Sequence, residues 1–149
     1  MKLIDEVGPG LTGLETLQAL IALGGRPPIG ETLDFTLTEV GDGFAVFEGT
    51  PGVHAYNPLG TVHGGYAATL LDSACGCALH TKLSATQIYT TLELKVSYIK
   101  AITAKTGPLR AEGRVISAGR RAGFTEAVLK GPSGRIYATA TSTLLVMER

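Results

Sequence analysis

Residues 57–81 read "NPLGTVHGGYAATLLDSACGCALHT": a turn, then His-Gly-Gly, then a run of small apolar residues holding one carboxylate, Asp72. The periodicity predicts a helix from about Val62 to about Thr81. Its apolar positions, from Val62 and Tyr66 through Leu70, Leu71 and Ala74 to Ala78 and Leu79, go all the way round the helical wheel. A helix of that kind is buried on every side. The rest of the chain must therefore wrap it.

Outward from this helix the chain reads as strands. Upstream, "ETLDFTLTEV" at 31–40 alternates Leu33, Phe35 and Leu37 against Thr32, Asp34, Thr36 and Thr38, and "GDG" at 41–43 turns it into "FAVFEG" as a hairpin. Downstream, "TTLELKVSYIKA" at 90–101 alternates Leu92, Leu94, Val96 and Tyr98; "LRAEGRVIS", "GFTEAVLK" and "RIYATATSTLLVME" follow after Gly-rich turns. Four successive strands joined this way are expected to pair as an antiparallel meander, because parallel neighbours need crossovers of about a dozen residues. Before the first strand, Leu14, Leu17, Leu20 and Ile21 recur at helical spacing until "GGRPP" at 24–28 stops them, making 1–28 a helical segment. The expected fold is α+β: a six-stranded antiparallel sheet wrapped around one long central helix, the hotdog arrangement, with an extra N-terminal helix, all within one domain spanning 1–149.

Composition narrows the function classes. Thirteen basic and thirteen acidic side chains give a net charge of zero, so no broad cationic field exists to hold a nucleic-acid backbone. No apolar run approaches the roughly 20 residues that cross a bilayer, and the N-terminus is a poor signal peptide. Cys75 and Cys77 point about 200° apart on a helix, so they neither pair nor clamp zinc. Soluble and cytoplasmic is the expectation, without metal or nucleic-acid partner.

Asp72 is the unusual residue. Its neighbours on the helix face are Gly65, Ala68, Thr69, Cys75 and Gly76, all small, and no basic residue lies within four positions. Such an acid has room for a ligand in front of it; the structural alternative is a carboxylate that caps a loop amide or pairs with an arginine of a distant strand. Upstream, "NPLGTVHGG" delivers free backbone N–H groups at the positive end of the helix, an oxyanion-binding element, unless the glycines merely make a tight turn. Gly64 and Asp72 are eight residues apart, about 12 Å along a helix. One small reacting group cannot touch both, so if both act on one carbonyl they come from different subunits across a two-fold axis.

Asn57, His63, Gly64 and Gly65, with Asp72 nine residues after the histidine, resemble the motif of hotdog acyl-CoA thioesterases of the phenylacetate-degradation type over about residues 30–147. The resemblance implies hydrolysis of acyl-CoA thioesters by dimers paired into tetramers, with no cofactor, coenzyme A being part of the substrate. It implies Asp72 as general base or nucleophile, Gly64 as the amide polarising the thioester carbonyl, Asn57 holding the turn or a water, His63 as a positioning residue and Thr91, or else Thr90, as a polar site residue. Gly65 and Tyr66 would line the substrate site, the pocket end falling to the N-terminal helix, Tyr66 and Leu70. Arg120 and Arg121 in the "GRRAG" turn would meet the phosphates, if they are not simply solvated, with Lys100, Lys105 and Arg135 as weaker candidates. Some relatives carry a hydroxyl residue one turn after the acid; here that position is Gly76. An aromatic or medium-chain acyl group is expected, a hotdog hydratase or dehydratase and a non-catalytic acyl-CoA-binding protein being the alternatives.

Overall fold

The computed structural model describes residues 3–149. After a 3-10 turn at Leu3–Val7 come helices α1 (Gly13–Ala22) and α2 (Pro28–Leu33), then β1 (Phe35–Gly41), β2 (Phe44–Gly49), the long helix α3 (Gly64–His80), β3 (Gln87–Tyr98), β4 (Leu109–Ala118), β5 (Ala122–Lys130) and β6 (Ile136–Glu148). The strands make one six-stranded sheet in the order β1-β2-β4-β5-β6-β3, every neighbouring pair antiparallel. The core lies between α3 and the sheet: Leu70, Leu71, Ala74 and Cys75 of the helix pack with Phe47, Ala111, Leu129 and Ala138 of the strands.

Two features depart from the expected layout. The meander holds only for β4, β5 and β6; β3 pairs with β6 at the far edge instead of with β4. The reason is where α3 lies: its start is already beside the end of β3, where Tyr98 bonds Gly64 O at 2.8 Å, and Thr91 meets Asp72 further on, so the chain leaving the helix turns back along it at that far edge. Residues 99–108 then bring the chain back over the start of α3, where Val62 N donates to Ile102 O at 2.8 Å. The second departure lies between residues 28 and 34. Pro28 takes the first helical position and starts α2, so Leu33, read as strand, is helical, and Asp34 ends the turn with φ 56°. The alternation begins in earnest only at Phe35.

The helix also lies lower on the sheet than ordinary side chains permit. A Cβ added at Gly113 of β4 would sit 2.2 Å from the carbonyl oxygen of Ala74, and one at Gly123 of β5 would sit 2.5 Å from Leu79 Cδ1. At the C-terminal end of α3 the same economy seats α1: a Cβ at Gly13 would overlap the His80 carbonyl, and Gly13 N donates to Leu83 O at 2.9 Å. Burial of α3 is nevertheless incomplete. Ala68, Thr69, Asp72 and Ser73 are half-buried and Gly65 is exposed, so one strip of the helix is left open.

On the outer face of the sheet Arg110 bonds Glu39 (2.7 Å), Glu48 (3.2 Å) and Glu112 (2.9 Å), and Lys130 bonds Glu112 at 2.9 Å. These exposed or half-exposed pairs contribute little each, but they occupy the strand cations.

Replacing Gly113 by Ala forces a methyl into the Ala74 carbonyl and is expected to lower unfolding stability by about 3 kcal/mol. Gly41→Ala, where the nearest contact is Phe44 Cδ1 at 4.0 Å, should change it by less than about 0.5 kcal/mol. Urea denaturation of the two variants checks the contrast.

Candidate active site

The start of α3 is built by a local hydrogen-bond set. Asn57 Oδ1 accepts from Leu59 N (2.9 Å) and Thr61 N (3.2 Å), and its Nδ2 donates to Thr61 Oγ1 at 2.9 Å. All three bonds close the turn that precedes the helix. His63 then caps it: with φ −59° and ψ 136° it sits just outside the helix, its N donates to Ala55 O at 2.7 Å, and its Nδ1 accepts from Gly65 N at 2.8 Å. An accepting Nδ1 leaves the ring proton on Nε2. The Gly65 amide is thereby used, whereas Gly64 N has no hydrogen-bond partner among the described residues. It is an orphan donor at the positive end of the helix.

Gly64 opens onto a cleft of about 270 Å³ lined by Val62, His63, Ala67, Tyr98 and residues 99–102, including Lys100. Tyr98 of β3 lies across it. Its hydroxyl donates to Gly64 O at 2.8 Å, and a Cβ at position 64 would come 2.9 Å from the ring. Glycine at 64 is therefore what lets the tyrosine reach the helix backbone.

Two turns further on, Asp72 Oδ1 accepts from Thr91 Oγ1 at 3.1 Å. No cation pairs with Asp72 among the described residues, so the structural alternative of a distant arginine does not hold. Thr91 reaches the acid because β3 is bulged. Between Thr91, opposite Leu144, and Glu93, opposite Thr143, the register shifts, and Leu92 is extruded to 59% exposure. On an unbroken strand Thr91 would face away from Leu94 and Val96; the bulge puts all three on the helix side. Thr90 is exposed and turns away.

The other candidate residues lie elsewhere. Tyr66 is buried in the core with Phe35 and Phe47 and does not line the cleft; its hydroxyl has no hydrogen-bond partner among the described residues, and burial pushes its pKa up to about 12. Leu70 is likewise core, and α1 sits at the opposite end of α3 from the cleft, so neither that helix nor these side chains form its wall. Arg120 and Arg121 are exposed and line a groove of about 550 Å³ with residues 145–148 of β6. The strand register puts that groove and the Gly64 cleft at opposite ends of β3, since Tyr89 lies opposite Val146 and Tyr98 opposite Ala138. Both cysteines are free thiols, and burial raises Cys75 to about 11 and Cys77 to about 12, so neither is a nucleophile at neutral pH. Among the described residues no three His, Cys, Asp or Glu converge as a metal site, and no helix is long and apolar enough to cross a membrane.

A family model described as the thioesterase superfamily matches residues 59–138, more than half of the 149. The chain belongs to the thioesterase superfamily. Its matched segment contains the helix start, Asp72, Thr91 and the cleft segment, that is, every element of the site except Asn57 and the last strand's end. Solved structures agree on the fold. A conserved protein of Pseudomonas aeruginosa is 29% identical, with TM-score 0.76 over 82% of this chain and 95% of that one. A putative thioesterase of Ralstonia eutropha JMP134, a phenylacetic acid degradation-related protein, is 24% identical with TM-score 0.77 over 87% and 98%. A thioesterase family protein of Silicibacter pomeroyi is also 24% identical, with TM-score 0.78 over 89% and 96%. No curated protein matches this chain.

Sequence reasoning passed over Tyr98 as a site residue because it filled an apolar slot in the strand alternation. Its signal was positional: it is the last strand residue before a connection too long for a turn.

If His63 serves as a cap, His63→Ala should cost about 1 kcal/mol of stability, and His63→Asn, which keeps an acceptor for Gly65 N, should recover most of it. Thermal unfolding of both variants reads this directly.

Proposed function

We propose that this thioesterase-superfamily member hydrolyses the thioester of an aromatic or medium-chain acyl-CoA, releasing the free acid and coenzyme A. The observation that carries the reading is Asp72: a carboxylate on the open strip of a buried helix, held by one hydroxyl and balanced by no cation among the described residues. A structural acid in that setting would be left uncompensated; a reactive one needs that freedom.

The chemistry follows from the two ends of the helix strip. The Gly64 N–H donates to the thioester carbonyl oxygen and stabilises the negative charge that gathers there as the carbonyl carbon becomes tetrahedral. Asp72 either removes a proton from the attacking water or attacks the carbonyl carbon itself, giving a mixed anhydride that water then opens. In both routes the C–S bond breaks, coenzyme A leaves as its thiol and water supplies the acid's oxygen. Thr91 fixes the carboxylate's orientation. Neither route calls for a metal or redox cofactor.

Along α3, Gly64 and Asp72 are about 12 Å apart, too far to act on one carbonyl. We therefore place the site between two subunits, the amide from one and the acid from the other. The edge of β3 supports this: twelve residues long, it pairs on one side only, with β6, and presents unpaired backbone groups beside Asp72. Such an edge is a template for a second copy. Two-fold pairing there would align the helix strips of both subunits and bring each Asp72 toward the other's helix start. Arg120 and Arg121 would then meet the phosphates of coenzyme A from the groove at the strand's other end, and dimers would pair into tetramers without changing the site. Free thiols at Cys75 and Cys77 suit a cytoplasmic enzyme.

Thiol release from a panel of aromatic and aliphatic acyl-CoAs, measured for the wild type and Asp72→Asn side by side, tests the reading. The expected result is turnover by the wild type that falls by about 10² to 10⁴ in the variant with affinity little changed. Binding without turnover in the wild type would make this a non-catalytic acyl-CoA-binding protein.

A further inference from the structure

Position 76 lies one helical turn after Asp72, on the same face, and as glycine it offers no side chain to the site. The space is not empty. A Cβ built at Gly76 would come 2.5 Å from the hydroxyl oxygen of Tyr89, 2.9 Å from its Cε2 and 3.0 Å from its Cζ. The phenol of a β3 residue therefore fills the place a side chain at 76 would take, and its oxygen is the atom lying closest to that place.

Tyr89 and Thr91 are two residues apart on β3, both before the bulge at Leu92, so they share the face turned toward α3. Thr91 donates to Asp72 Oδ1 at 3.1 Å. The strand thus turns two hydroxyls to one face of the helix, one on the carboxylate and one a turn beyond it. The tyrosine ring is fixed by its surroundings: it packs edge-on against His80 with ring centroids 5.8 Å apart and belongs to the cluster of Leu79, Leu83, Leu144 and Val146. Burial, and then the neighbouring Cys77 thiol and Asp72 carboxylate, hold the phenol well above its ordinary range. It stays protonated, its hydroxyl lying beside the Cys77 thiol.

We propose that Tyr89 is a further residue of the hydrolytic site, its hydroxyl orienting the water that Asp72 uses and supplying from the strand what Gly76 withholds from the helix. The inference rests on the reading of Asp72 as the acid of a thioesterase. It accounts for two residues at once: the ring of Tyr89 lies where a side chain at 76 would be, so 76 is glycine, and Tyr89 brings a hydroxyl one turn after the acid.

The test is steady-state hydrolysis of the best acyl-CoA by the wild type, Tyr89→Phe, Tyr89→Leu and Tyr89→Leu/Gly76→Ser, with the Tm of each. Tyr89→Phe should lose about 10- to 100-fold in kcat, with KM within about twofold and Tm unchanged, since the ring and its packing remain. Gly76→Ser in the Tyr89→Leu background should recover at least about tenfold of the lost kcat by restoring a hydroxyl at that turn. Wild-type kcat in Tyr89→Phe, a loss that tracks a fallen Tm, or no recovery from Gly76→Ser would each make Tyr89 a packing residue and overturn the inference while leaving the thioesterase reading intact. A wild type inactive on every acyl-CoA would overturn both.

Discussion

The structure depends on how closely α3 can lie against the sheet. At Ala74 the helix backbone touches β4 where Gly113 has no side chain, and at Gly123 of β5 the missing side chain makes room for that of Leu79. Interiors are packed to crystal-like density, so an extra methyl at 113 would lift the helix off the sheet and one at 123 would displace Leu79. Because the helix is seated this deeply, the curved sheet covers most of its circumference. A strip from Gly64 and Gly65 through Ala68, Thr69, Asp72 and Ser73 to Cys77 is left partly open.

That strip is bordered by β3, and the strand's three contacts with it organise the site. Tyr98 bonds the backbone of Gly64, Thr91 bonds the carboxylate of Asp72, and Tyr89 lies over Gly76. Side chains from one strand meet the helix at its start, middle and last third, which ties the position of the orphan amide to that of the acid through a single rigid element. Small residues on the helix are what make this possible: at 64 and 76, glycine admits an aromatic ring to backbone distance. Among the described residues no cation pairs with the acid; Arg110 and Lys130 bind glutamates on the opposite face of the sheet and Arg114 is paired with Glu126.

Much of this was legible in the chain. The apolar wheel of 62–81, the acid among small residues and the His-Gly-Gly entry all depend on local pattern, and local pattern survives folding. Thr91 was named from a resemblance alone, since the alternation of Leu92, Leu94 and Val96 put it on the wrong face; a one-residue bulge reverses that parity and leaves no mark in composition. The pairing of β3 with β6 was illegible for a similar reason. It depends on where a long helix sets the chain down, not on the strand itself. Between Pro28 and Asp34, an alternating pattern and a proline at the first helical position competed, and the proline won. Tyr89 was invisible because its partner, Gly76, is a residue defined by what it lacks.

The central claim is that the amide of Gly64 and the carboxylate of Asp72 complete one site only across two subunits. Gly64→Pro removes that N–H and fits the backbone, because proline suits the first position of a helix and His63, at ψ 136°, already has the extended backbone that must precede one; its Cβ would meet the Tyr98 ring at 2.9 Å, so that exposed side chain must swing off Gly64 O. Asp72→Asn removes the acid. The decisive measurement is acyl-CoA hydrolysis by the two inactive variants after co-expression, against each alone. The account predicts about a quarter of the wild-type rate, because half of randomly mixed dimers would hold one intact site of two. A mixture as inactive as its parents, with hybrid dimers demonstrably present, would contradict it.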